Sequence, residues 1–209
     1  MTDFSKIKKL YNIDAPDGFS KEEIDTIKDI FGSLPQVLYD YYAELGKYDF
    51  NQNQDSLNVP EDFPYFKNND YLIFYCENQR SSVWGIRKED LIKPNPPVYM
   101  SYDEKEWNIE CESLSDFLYA MACLQAIFVL EYSSNCFYEI EKHELEFIRT
   151  NYADKGVSLK QWVTGAEFYG NYDDSVIVIM AGEQMTYSSG SKEHFEEMDK
   201  VLSKLGTIM

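Results

Sequence analysis

Tyr71-Leu72-Ile73-Phe74-Tyr75-Cys76-Glu77, then Asn78-Gln79-Arg80-Ser81, then Ser82-Val83-Trp84-Gly85-Ile86-Arg87 is the stretch that decides the fold. An unbroken apolar and aromatic run, a turn-like tetrad and a β-branched and aromatic return make the pattern of an antiparallel hairpin. Gly85 inside the return strand points to another group packing closely on the backbone there. Downstream, Pro97 to Ser101 predicts one more short strand, with prolines suited to a strand start or a sheet edge. Ser113 then caps a helix, and Asp116 complements its N-terminal dipole. Leu114, Phe117, Leu118, Met121, Gln125 and Phe128 follow its buried side, while Ala120, Ala122 and Ala126 let neighbours approach.

Upstream of the hairpin the periodicity is helical. Ser20-Lys21-Glu22-Glu23 is a capping box, with Phe19 and Ile24 placed to form a hydrophobic staple. Ile24, Ile27 and Phe31 repeat at helical spacing and Gly32 ends the helix. Ser33-Leu34-Pro35 opens a second helix, with the proline in its first turn. Its stripe is Val37, Leu38, Tyr41, Tyr42 and Leu45, closed by Gly46, and the short link makes the two helices neighbours. Residues 47–70, rich in Asn, Gln, Asp and Pro, read as a long surface loop.

Towards the C-terminus, Asn135 to Ile140 reads as a strand, and Leu145 to Tyr152 is ambiguous between helix and strand. Ser175 to Met180 and Gln184 to Ser188 pair across the turn Ala181-Gly182-Glu183. Ser191 caps a last helix with Phe195, Met198, Leu202 and Leu205 on one face, closed by Gly206. The expected class is α+β: a central, mostly antiparallel sheet flanked by N-terminal, middle and C-terminal helices.

The chain of 209 residues can build one sizeable core, filled in part by 17 Tyr and 13 Phe. Its 37 acidic residues against 19 basic ones give a net charge of −18. That charge repels nucleic-acid phosphates and anionic membranes, and favours encounter with a basic protein. Lys6, Lys8 and Lys9 form the basic cluster, read as a solvated helix face. The N-terminus lacks the pattern of a signal peptide, and the apolar stretch Phe117 to Leu130 is interrupted by Gln125 and too short to span a bilayer. Cys76, Cys111, Cys123 and Cys136 are widely spaced and read as reduced, mostly buried thiols. The expected location is cytoplasmic.

Reaction chemistry is not legible. His143-Glu144 begins like a zinc-protease helix, but Phe147 stands where the second ligand is needed. His194 falls in the first turn of the last helix and reads as a surface residue. Ser188-Ser189-Gly190-Ser191-Lys192 reads better as helix capping than as an anion cradle. No Gly-x-Ser-x-Gly elbow marks an activated serine. Carboxylate pairs such as Asp173-Asp174 carry no weight in so acidic a chain. Hence no catalytic residue, cofactor or metal is expected. Trp84 reads as packed between sheet and helix, and Trp107 suits either packing or a binding hot spot.

Leu34-Pro35 opening a helix that ends at Gly46, then Trp84-Gly85-Ile86, Pro96-Pro97-Val98, Trp107 and Ser113-Leu114 with Phe117-Leu118 resemble the SUKH superfamily. Bacterial immunity proteins and the fungal regulator of cell-wall synthesis belong to it. Members often carry two glycines where this chain has Gly46-Lys47, and an Asp where it has Asn95; both positions look like turn chemistry. The resemblance covers residues 15–130 of a single domain spanning 1–209, with 131–209 as its C-terminal extension. It implies a protein that binds and neutralises a cognate bacterial toxin domain, for example a basic nuclease, without catalysis. The alternative it implies is a regulatory or scaffolding module that binds a cellular protein. Candidate contact residues are Asp103, Glu104, Glu106, Glu110 and Glu112 around Trp107, together with Asp173 and Asp174.

Overall fold

The computed structural model describes residues 2–66 and 68–209. Helices α1 (Ser5–Leu10), α2 (Lys21–Phe31) and α3 (Gln36–Leu45) lead into strands β1 (Ser56–Leu57), β2 (Tyr71–Cys76), β3 (Val83–Arg87), β4 (Val98–Ser101) and β5 (Asn108–Cys111). Helix α4 (Leu114–Val129) precedes β6 (Tyr132–Ser133), β7 (Tyr138–Glu139), α5 (Lys142–Asn151), β8 (Asp154–Leu159) and β9 (Ala166–Tyr169). Strands β10 (Ser175–Met180) and β11 (Gln184–Ser189), helix α6 (Lys192–Leu202) and β12 (Thr207–Ile208) complete the chain. The class is α+β, as expected. The strands, however, divide into two antiparallel sheets, because those before α4 and those after it pair only among themselves.

Two compact units result. One comprises the N-terminal residues through Phe4 and Ala15–Leu118; the other comprises Ser5–Asp14 and Tyr119–Met209. The boundary falls inside α4.

In the first unit β1 to β5 form a meander in sequence order. Tyr71 pairs with Arg87 and Cys76 with Val83, so the hairpin is the one the sequence announces. Ser20 and Glu23 cap α2 reciprocally. All five stripe residues of α3 are buried, with Pro35 at the cap position rather than inside the first turn. Trp84, Tyr75, Phe74 and Phe117 pack together beneath the sheet with ring centroids 5.4 to 6.4 Å apart. Asn95 closes the start of α4, since its side-chain oxygen accepts from the amide of Ser115 at 2.9 Å. Asn95 is therefore cap chemistry as well as turn chemistry.

Of the segment 47–70 expected as a surface loop, residues 47–63 do not form one, and Lys67 lies outside the described residues. The segment holds two short 3-10 turns and β1, with Phe50, Leu57 and Phe63 buried. Polar residues are tolerated inside because they satisfy backbone groups. Asn51 Nδ2 donates to the carbonyl of Leu45 at 2.6 Å, and Asn58 Nδ2 to that of Ile73 at 3.1 Å.

In the second unit the sheet order is β12-β7-β11-β10-β9-β8, with β6 also pairing with β11. Ala181 and Gly182 take φ of 54° and 71°, the left-handed pair that a tight hairpin turn requires. The ambiguous segment is helical: Glu141 and Glu144 cap each other's backbone and start α5 at Lys142. The strand expected at Asn135 to Ile140 shrinks to Tyr138–Glu139. Ile148 of α5 and Met198 and Leu202 of α6 pack on Ile177, Ile179, Met185 and Tyr187. Phe128, expected on the buried side of α4, is 42% exposed, while Ala126 and Ile127 before it are buried. Among the described residues no helix is long and apolar enough to cross a membrane.

Candidate protein-binding face

The first sheet has a core face and an outer face, set by strand alternation. Trp84 and Ile86 point into the core, while Tyr71, Ile73, Val83 and Gly85 lie on the opposite side. Ile73, Cys76 and Val83 form a small apolar cluster there, and Phe66 and Trp107 pack over it from flanking loops. Trp107 is half-buried. Its ring stacks on Tyr71 with centroids 3.9 Å apart and planes 10° from parallel. Tyr71 meets Tyr99 edge-on, and the Arg87 guanidinium lies over Tyr99 at 4.4 Å.

An open cleft of about 640 Å³ is bordered by this stacked pair. Among the described residues that line it, Asp70, Asp103 and Glu104 outnumber Lys105, and Arg87 Nε donates to Tyr71 Oη at 3.0 Å beside it. Asp103 builds the loop that holds Trp107: its Oδ1 accepts from the amides of Lys105 and Glu106, each at 2.9 Å. The Glu106 amide, then that of Lys105, holds the Asp103 carboxyl below the usual carboxylate range. Asn68 Nδ2 donates to the carbonyl of Glu104 at 3.3 Å, tying the two loops that shape the cleft.

The chain matches no family model, no curated protein and no solved structure. A functional reading therefore rests on geometry and on the order of the sequence motifs.

Of the expected contact residues, Asp103, Glu104, Glu106 and Glu112 are exposed on the first unit. Glu110 is not a surface residue. It has no exposure and accepts the Trp84 indole N–H at 3.1 Å, because β5 runs from the exposed Asn108 into the core by Glu110 and Cys111. Asp173 and Asp174 belong to the second unit and are engaged within it. Lys9 pairs with Asp173 at 2.9 Å, and His194 Nδ1 lies 2.7 Å from Asp174. Lys9 thereby keeps the Asp173 carboxyl below its ordinary range. His194 also stacks on Tyr172 at 3.7 Å, so it is built into the surface rather than free on it.

The serines before α6 are occupied in capping: Ser191 Oγ accepts from the amide of His194, and Ser189 Oγ from that of Ser191. Among the described residues no group of three His, Cys, Asp or Glu is placed to hold a metal ion. The sequence reading missed Tyr71, Asn68 and Asp70. Tyr71 carries a usable signal, since it shares the strand face of Ile73 and of Gly85 across the hairpin.

Proposed function

We propose that this protein is a cytoplasmic immunity protein that binds and neutralises a cognate bacterial toxin domain through an acidic face. The observation that carries the reading is the stacked Trp107–Tyr71 pair in an open cleft whose described rim residues include the carboxylates of Asp70, Asp103 and Glu104. Half-buried aromatics with charged rims are what protein interfaces concentrate their energy on. A nuclease toxin needs a cationic groove for its phosphate substrate, and an anionic protein can fill that groove. The motif order resembling the SUKH superfamily supports the same reading.

The test is co-expression with the toxin encoded beside this gene. Cells carrying the wild-type protein are expected to survive, and cells carrying Asp70→Lys with Glu104→Lys are expected to lose protection. Unrelieved killing overturns immunity. If a housekeeping protein is then captured through the same face, the scaffolding alternative takes its place.

A further inference from the structure

The cleft over Trp107 does not stop at Glu104. The same residue borders a second hollow, about 340 Å³, lined by Cys76, Val83, Phe66 and Tyr65. Cys76 and Val83 belong to the apolar cluster of the outer sheet face. Tyr65 stands 81% exposed beside it. The Arg80 guanidinium, which also lines the hollow, lies 5.7 Å from the centre of the Phe66 ring. Asp62 and Glu104 complete its border, so the anionic cleft adjoins a hollow with an apolar floor of Cys76, Val83 and Phe66 and a charged rim.

From this geometry we infer that the face seats a basic segment of the partner protein in two places: an arginine over Trp107 and an apolar side chain in the hollow at Val83. The inference rests on the protein-binding reading above and names its chemistry. Among the described lining residues three carboxylates outnumber the Lys105 ammonium, which favours a cation. Arginine fits better than lysine, because a planar guanidinium stacks on aromatic rings and takes carboxylates two at a time, whereas an ammonium is a strongly hydrated point charge. The net charge of −18 sets a second copy of this chain against itself and disfavours nucleic acid, leaving a basic protein as the complementary occupant.

The probe is a capped peptide of the repeat Arg-Gly-Leu-Gly. Its Arg→Lys and Leu→Ala counterparts serve as comparisons, all titrated into the whole protein at about 0.15 M salt, where long-range attraction is screened. Indole N–H resonances report the site, with Trp107→Phe used to assign the peak. The Arg-Leu peptide is expected to shift the Trp107 resonance and to bind roughly fivefold tighter than either counterpart. Glu104→Gln and Tyr65→Ala, both at exposed positions, are expected to weaken it without lowering the melting temperature.

Equal binding of the arginine and lysine peptides, or binding that ignores both variants, overturns the inference. Toxin neutralised equally well by both variants overturns it too and leaves immunity standing. Peptide captured here while no neighbouring toxin is neutralised does the reverse.

Discussion

Gly85 lies against the indole of Trp107: a Cβ on it would fall 3.1 Å from Cζ3 and Cη2 of the ring and 3.2 Å from the carbonyl oxygen of Leu72. Gly85 is absent from the residues of positive φ, so the glycine serves space rather than conformation. Gly85→Ala is expected to cost about 1 kcal/mol, as overpacking outweighs the smaller gain from a stiffer unfolded chain. In a Trp107→Ala background the same change is expected to cost less, with only the Leu72 carbonyl contact remaining. A double-mutant cycle by chemical denaturation measures this, and additivity within about 0.3 kcal/mol would mean that Trp107 does not impose the glycine.

Asn58 ties the segment around β1 to helix α3 and strand β2. Its amide N–H bonds the Phe74 carbonyl at 2.9 Å, its carbonyl accepts from Tyr42 Oη at 2.5 Å, and its Nδ2 serves Ile73. Removing the side chain leaves a buried carbonyl without its donor. Asn58→Ala is therefore expected to lower stability by about 1–3 kcal/mol, while Asn53→Ala, at an exposed position, stays within about 0.5 kcal/mol. Equal effects of the two would show that burial of the segment does not depend on Asn58.

That segment also shows where sequence reading stops. The capping box at Ser20, the hairpin around Asn78 to Ser81 and the cap at Ser113 are local signals, so they were legible. Asn51 and Asn58 look like loop residues until the carbonyls they serve, on Leu45 and Ile73, are known, and those lie elsewhere in the chain. Strands β5 and β9 have four residues each and carry no clean alternation, β8 opens on the polar Asp154-Lys155-Gly156, and β12 is two residues long. The Trp107 loop was legible as an acidic cluster, but β5 passes from that loop into the core within four residues. Glu110 thus shares its neighbours' composition and not their exposure.

Asp55 makes stability depend on pH. It has no exposure, and burial, reinforced by the nearby Glu77 charge and opposed by the Asn78 backbone, raises its carboxyl pKa to about 7. The folded state thus holds its proton more tightly than the unfolded chain does. Asp55 favours folding fully below the ordinary carboxylate pKa of about 4, and that contribution is lost as pH rises towards 7. Relative to wild type, Asp55→Asn is expected to gain up to about 1.4 kcal/mol per pH unit across that window and nothing further above it. Parallel pH profiles of the two proteins would show that Asp55 titrates as an ordinary surface acid.

Asp103 has the opposite sign and sits at the proposed binding face. Its carboxylate accepts from the amides of Glu106 and Lys105, so its pKa lies below that of an unfolded aspartate. The loop is held while the group is ionised and released as pH falls through the folded pKa. Asp103→Ala is expected to speed amide exchange at Lys105 and Glu106 and to move the Trp107 indole resonance, at neutral pH and with little loss of melting temperature. Wild-type protein should shift in the same direction on acidification, with Asp103→Ala insensitive. Asp103→Asn retains a neutral oxygen in the same place, as the protonated acid does, and is expected to hold the loop part-way and alike at every pH. If it instead behaves like the alanine variant, negative charge rather than hydrogen-bond geometry fixes the loop, and the cleft owes its shape to electrostatics.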